Sequence, residues 1–213
     1  MTGSASASVE VFADLHADVG EAPHWDEKSK TLLFVDLTAG AVFRYDELGV
    51  KVGSFSVGQE VGAAVPRQGG GLVLAVRDGI AVASDTGDGF KLAAPVERDT
   101  PGNRMNDAKC DPAGRLLAGT TAFDFTRYSA ALYRVESDWS FEQMVRDVTQ
   151  SNGIAWSPDG KRCISSTPSP RARVEANNAR QARTTRCLII LEQRSKRGVL
   201  PSVARLGGGP DDS

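Results

Sequence analysis

The sequence predicts an all-β protein built as part of a β-propeller, and two observations carry that expectation. Four segments share one pattern: an apolar residue, a polar turn with Gly, Asp or Pro, then an apolar run. They begin at Trp25, Val65, Cys110 and Trp156, so successive starts lie 40, 45 and 46 residues apart. A strand-rich repeat of that length suits a four-stranded sheet set radially about a channel. The apolar runs are four to six residues long, right for strands and too short for a stable helix. A β-sandwich with coincidental spacing is the competing architecture.

Taken in order, Trp25-Asp-Glu-Lys-Ser-Lys leads into Thr31-Leu-Leu-Phe-Val, and Ala41-Val-Phe-Arg-Tyr follows as another strand. Val65-Pro-Arg-Gln-Gly-Gly-Gly leads into Leu72-Val-Leu-Ala, then Gly79-Ile-Ala-Val-Ala. Cys110-Asp-Pro-Ala-Gly-Arg leads into Leu116-Leu-Ala-Gly, then Ala131-Leu-Tyr-Arg-Val, and Trp156-Ser-Pro-Asp-Gly-Lys opens the fourth repeat. Asp-Pro-Ala-Gly and Ser-Pro-Asp-Gly put Pro and Gly where a tight reversal needs fixed or positive φ.

The 213 residues are 40% apolar and 24% charged, with a formal net charge of −2. That balance gives no whole-chain field to recruit nucleic acid or an anionic membrane. No apolar run approaches the roughly 18 residues of a spanning helix. The opening Met-Thr-Gly-Ser-Ala-Ser-Ala-Ser-Val has neither the charged nor the apolar region of a signal peptide. The expectation is a cytoplasmic protein with no membrane partner. Three cysteines, Cys110, Cys163 and Cys187, cannot all pair, and His16 and His24 are too few and too close for a usual structural zinc site. Free thiols in a reducing compartment follow.

Composition changes abruptly near Arg162. Residues 1–161 carry 15 Lys and Arg against 23 Asp and Glu (net −8), whereas residues 162–213 carry 10 against 4 (net +6). All fourteen aromatic residues lie at or before Trp156. We therefore divide the chain into a flexible start with a first strand (1–14), a partial propeller (15–161) and a basic, aromatic-free, poorly ordered tail (162–213).

Three stretches go beyond fold class: Gly20-Glu-Ala-Pro-His-Trp-Asp; Gly102-Asn-Arg-Met-Asn-Asp-Ala-Lys-Cys-Asp-Pro-Ala-Gly-Arg with Leu-Leu-Ala-Gly-Thr-Thr following; and Ser151-Asn-Gly-Ile-Ala-Trp-Ser-Pro-Asp-Gly. In order and spacing they closely resemble the senescence-marker-protein, gluconolactonase and luciferin-regenerating-enzyme family, the regucalcin-like proteins, from about residue 15 to Lys161. The resemblance implies a six-bladed propeller, of which this chain would hold the first three to four blades. It also implies a divalent cation in the channel, with Ca²⁺ foremost and Zn²⁺, Mg²⁺ or Mn²⁺ as alternatives, and hydrolysis of a sugar lactone.

Residue by residue, the resemblance places metal ligands at Glu21 and Asn152 and substrate-binding residues at Arg104, Asn106 and Asp124. Carboxylate and amide oxygens suit a hard cation. Arginine, asparagine and aspartate together supply donors and acceptors for sugar oxygens. By their own local sequence, Glu21 could equally be a solvated strand-entry acid, Asn152 a turn residue before Gly153, and Arg104 a surface arginine. Asp107 is either a turn acid or a group supporting the ligands. Ala22 stands where the family often has Gly or Ser, which adds only a methyl group.

The family's proton-moving residue is the Asp of a later Pro-Asp-Gly, and this chain has no such motif in place; Asp211 near the end is not assigned to that role. After Lys161 the family pattern resembles Met-Tyr-Tyr-Ile-Asp-Thr, whereas this chain reads Arg162-Cys-Ile-Ser-Ser-Thr-Pro-Ser-Pro. One codon choice for those nine residues reads Met-His-Leu-Val-Asp-Thr-Leu-Thr in another frame, so we read the tail as a frameshifted translation. The expected function is a metal-dependent lactone hydrolase, weakly active or inactive in this chain. A non-catalytic calcium-binding or regulatory propeller and a scaffold for protein partners are the alternatives.

Overall fold

A computed structural model describes residues 10–157, 159, 162–165 and 186–189. Among these, all regular structure is β-strand, arranged in four sheets whose strands follow chain order. The first sheet holds β1 (Gly20–Asp26), β2 (Thr31–Asp36), β3 (Ala41–Asp46) and β4 (Lys51–Ser56). The second holds β5 (Val61–Pro66), β6 (Leu72–Val76), β7 (Gly79–Ala83) and β8 (Lys91–Ala94). The third holds β9 (Asn103–Cys110), β10 (Leu116–Ala122), β11 (Ala130–Val135) and β12 (Phe141–Val148). All neighbours within these three sheets pair antiparallel. The architecture is a partial propeller.

The fourth sheet holds β13 (Ala155–Trp156), β14 (Arg162–Ser165) and β15 (Arg186–Ile189). β13 and β14 pair antiparallel, as in the other sheets, whereas β14 and β15 pair parallel. Strand structure thus continues past the compositional change at Arg162, and Cys163 is fully buried. The rest of residues 162–213 lies outside the described residues. So do residues 1–9, Asp211 and the expected poor packing of the tail.

Alternation decides which side chains face which sheet. Leu33, Val35 and Val42 of the first sheet pack against Val61, Leu72 and Leu74 of the second. On the first sheet's other face, Phe34 stacks on both Phe43 and Tyr45 with ring centroids 5.4 Å apart. Val65, Ile80 and Val96 pack against Met105, Leu116 and Val135 of the third sheet. Leu117, Leu132 and Val148 then meet Ile154 and Cys163. Each sheet is therefore glued to the next by its own apolar layer, and burial of a large side chain there contributes about 1.5–3 kcal/mol.

The turns do what their sequence requires. Asp111 accepts from the backbone N–H groups of Ala113 and Arg115, both at 2.9 Å, which closes Asp-Pro-Ala-Gly-Arg into a reversal. Trp156 Nε1 donates to the Cys110 carbonyl at 2.9 Å, tying one repeat start to the next. No helix among the described residues is long and apolar enough to cross a membrane.

Candidate functional site

β1, β5, β9 and β13 are the first strands of the four sheets, and β1, β5, β9 and the segment leading into β13 come together on one side. A cavity of about 250 Å³ lies between them, lined by Glu21, His24, Ala64, Asp107, Lys109 and Asn152 among others. Glu21 and Asn152, far apart in sequence, thus share one cavity.

A bulge in β1 aims Glu21. The register with β2 shifts between Glu21 and His24, and Ala22 sits in the left-handed region at φ 48°. Bulges re-aim side chains in this way. The left-handed conformation costs an L-residue roughly 1–2 kcal/mol, of which glycine returns about 0.5–1 in chain entropy. The position thus favours glycine for a backbone reason, beyond the added methyl. Ala22→Gly is expected to stabilise the protein by up to about 1 kcal/mol, read as a higher urea midpoint; a lower midpoint would show that the methyl's packing outweighs the strain.

The segment carrying Asn152 is gripped by β9. Asn106, 6% exposed, donates from Nδ2 to the Ser151 carbonyl at 2.8 Å. Asp107 Oδ2 accepts from the Ile154 backbone N–H at 3.2 Å. Asn152 therefore sits between two clamped neighbours, with its own carbonyl accepting from Ser165 Oγ at 3.0 Å. Arg104 Nη1 donates to Asn106 Oδ1 at 2.9 Å and to the Met105 carbonyl at 3.0 Å, so the guanidinium and the amide form one unit.

Burial pushes the Arg104 guanidinium below its ordinary value, while the negative charges of Glu60 and then Glu21 pull it back up. Burial also lowers the His24 imidazole, and the Lys109 charge adds to that; Asp26 opposes both. His24 is thus biased toward its neutral form. Glu60, directly before β5, has a buried Oε2 that no donor hydrogen-bonds among the described residues; Arg77 Nη1 stands 3.6 Å away.

Of the residues read from sequence, Glu21 and Asn152 line the cavity, and Arg104 and Asn106 form the bonded unit on β9. Neither the Arg104–Asn106 unit nor Asp124 is among the residues that line the cavity. Asp124 belongs to a turn. It is exposed in the β10–β11 connection and accepts from Thr126 N at 2.9 Å and Thr126 Oγ1 at 2.8 Å, which also holds its carboxyl below the usual range. His24, Lys109 and Glu60 were not singled out as site residues in the sequence. His24 lies inside the first motif but is read there only as a zinc candidate, Lys109 lies inside the second without an assigned role, and Glu60 lies in no motif. Cys110 is a free thiol and Cys163 is buried, while the side chain of Cys187 lies outside the described residues.

Residues 19–190 match the family described as SMP-30/Gluconolactonase/LRE-like region. The chain belongs to the SMP-30/gluconolactonase/LRE-like family. Its family match runs beyond Arg162 and takes in β14 and β15. Regucalcin of Danio rerio is 38% identical over 156 residues, covering 72% of this chain and 52% of the relative. A luciferin-regenerating enzyme structure superposes with a TM-score of 0.64 at 31% identity, covering 68% of this chain and 51% of that one. A calcium-binding protein, regucalcin, from Agrobacterium tumefaciens superposes with a TM-score of 0.63 at 25% identity, covering 68% and 49%. The chain spans about half the length of the curated relatives it matches.

The donor set gives this family member's cavity a hard-cation character. Glu21 offers carboxylate oxygens, and Asn152 an amide oxygen that also accepts from the Gly153 backbone N–H at 3.0 Å, as a turn asparagine does. No group of three or more His, Cys, Asp or Glu among the described residues is placed to hold a metal. Two protein oxygens fit an oxygen-preferring cation that keeps several waters, not a tightly caged one.

Proposed function

We propose that this chain carries the cation-binding and lactone-recognising part of a divalent-metal-dependent sugar-lactone hydrolase, with Ca²⁺ the leading cation. One observation carries the reading: Glu21 and Asn152 line one cavity, and the Arg104–Asn106 unit holds the segment that bears Asn152. Glu21 and Asn152 would hold the cation, which when bound supplies Lewis acidity at the lactone carbonyl. Arg104 offers its remaining N–H donors to ring and hydroxyl oxygens. Asn106 spends its amide on Arg104 and Ser151, so it orients both flanks of the site. No carboxylate among these residues is free of a ligand or holding role to move the proton, and a missing general base costs about 10²–10⁴-fold in rate.

A non-catalytic cation-binding propeller shares the Glu21–Asn152 pair but gives no role to Arg104. The test is to add a sugar lactone and Ca²⁺, separately and together, to the purified chain, following thermal unfolding and acid release. Both ligands are expected to raise the melting temperature, with turnover scarcely above the spontaneous rate and removed by chelator. A lactone that neither raises the melting temperature nor is hydrolysed would overturn the lactonase reading. A Ca²⁺ shift without a lactone effect would favour the non-catalytic one.

A further inference from the structure

We infer that Glu60 is the carboxylate that accepts hydrogen bonds from the substrate's hydroxyl groups opposite Arg104, a role that resemblance gives to Asp124; the inference rests on the lactone reading above. The position comes from packing between sheets. Glu60 precedes Val61, and Gly62 on the same strand lies so close to β9 that an added Cβ would overlap the Asn106 carbonyl oxygen. The start of β5 is therefore pressed against the part of β9 that bears Arg104 and Asn106. Glu60 outranks Glu21 among the charges that act on the Arg104 guanidinium. Yet Glu60 and Arg104 form no ion pair within 4.0 Å. Glu60 and Arg104 thus act on each other by charge without a direct bond.

Bonding capacity points the same way. Glu60 Oε2 is buried and has no hydrogen-bond donor among the described residues. Arg77 Nη1 forms an ion pair with that oxygen at 3.6 Å while its Nε donates to Asp78 at 3.1 Å, so the guanidinium supplies charge but no hydrogen bond. An ion-paired carboxylate oxygen without a hydrogen-bond donor keeps its acceptor capacity, so a hydroxyl arriving there gains a charge-assisted hydrogen bond. Asp124 offers nothing comparable, because both its oxygens already accept from Thr126. A polyhydroxylated lactone ring fits this pair: Arg104 donates to its oxygens while Glu60 accepts from a hydroxyl. A ring without hydroxyls cannot use Glu60.

The test compares the full chain with Glu60→Gln, Glu60→Asp and Asp124→Asn, with Ca²⁺ present. The probes are 1,5-anhydroglucitol, a hydroxylated ring that cannot hydrolyse, and δ-valerolactone, which has no hydroxyls; binding is read by ligand-observed NMR. Glu60→Gln should weaken anhydroglucitol binding about tenfold, the size of one charge-assisted hydrogen bond, and leave valerolactone binding unchanged. Glu60→Asp, which keeps the charge on a shorter arm, should fall between. Equal weakening of both probes would mean a structural role and overturn the inference. So would no change in Glu60→Gln, or a loss confined to Asp124→Asn. Cation-dependent lactone hydrolysis without anhydroglucitol binding would overturn this inference alone. Neither binding nor hydrolysis would overturn the lactone reading as well.

Discussion

Gly62→Ala is expected to destabilise the protein by about 3 kcal/mol or more, the upper end of the overpacking range. A Cβ at this position would fall well inside the 3.0 Å that real Cβ atoms keep, and the atom it meets is the Asn106 backbone carbonyl rather than a flexible side-chain end. Either β5 or β9 must shift. That movement would break the inter-sheet layer holding Val65 and Ile80 against Met105 and Leu116. At about 2–4 °C per kcal/mol for a chain of this size, the melting temperature should fall by roughly 6–12 °C. Gly53→Ala on β4 is the control, since nothing lies within 4 Å of an added Cβ there. It should be neutral or slightly stabilising through loss of chain entropy in the unfolded state. Similar melting temperatures for Gly62→Ala and wild type would refute the close apposition of β5 and β9.

Glu21→Gln is expected to weaken Ca²⁺ binding by about a hundredfold or more, since Ca²⁺ affinity follows the charge count of its ligands and even an outer-shell partner is worth 10–100-fold. The wild-type affinity should itself be weak, about 10⁻⁴–10⁻³ M, because two protein oxygens leave most of the coordination to water. Calorimetric titration with Ca²⁺ reads the wild-type value, and in Glu21→Gln the binding heat should disappear. The glutamine is isosteric, so the bulge at Ala22 and the packing around it should persist and the melting temperature without Ca²⁺ should stay close to wild type. An unaltered Ca²⁺ affinity in Glu21→Gln would remove this cavity as the cation site.

The interior strands were legible because their chemistry is local. Thr31–Asp36 and Ala41–Asp46 alternate at the strand period and are bounded by turn residues, and both appear as β2 and β3. Outer strands were harder to see: β4, Lys-Val-Gly-Ser-Phe-Ser, is almost wholly exposed and buries no regular face. The candidate site came only through resemblance, because no local pattern connects Glu21 with Asn152. What brings them together is a bulge at one strand and a clamp from Asn106 and Asp107 at another. Glu60 carries no motif; an acid before an apolar run is ordinarily solvated, and only the packing of β5 on β9 gives it meaning. Asp124 illustrates the reverse case. Its distance after Ala-Gly-Thr suggested a substrate acid, whereas Asp-Phe-Thr is also ordinary turn chemistry, and the turn takes both oxygens.

The strict chain order of strands within the first three sheets has a consequence for the route by which the chain folds. Pairing within each of these sheets joins consecutive strands, so hairpins close over short loops at little entropic cost and on fast timescales. The bonds that build the cavity are of another kind: Asn106 reaches Ser151 across 45 residues and Asp107 reaches Ile154 across 47. Contact order is therefore low within a sheet and high at the centre, which makes docking of preformed sheets the slow event. A cation held between Glu21 and Asn152 exists only after docking. It would thus stabilise the assembled centre by mass action and chiefly slow its opening, leaving hairpin formation unaffected.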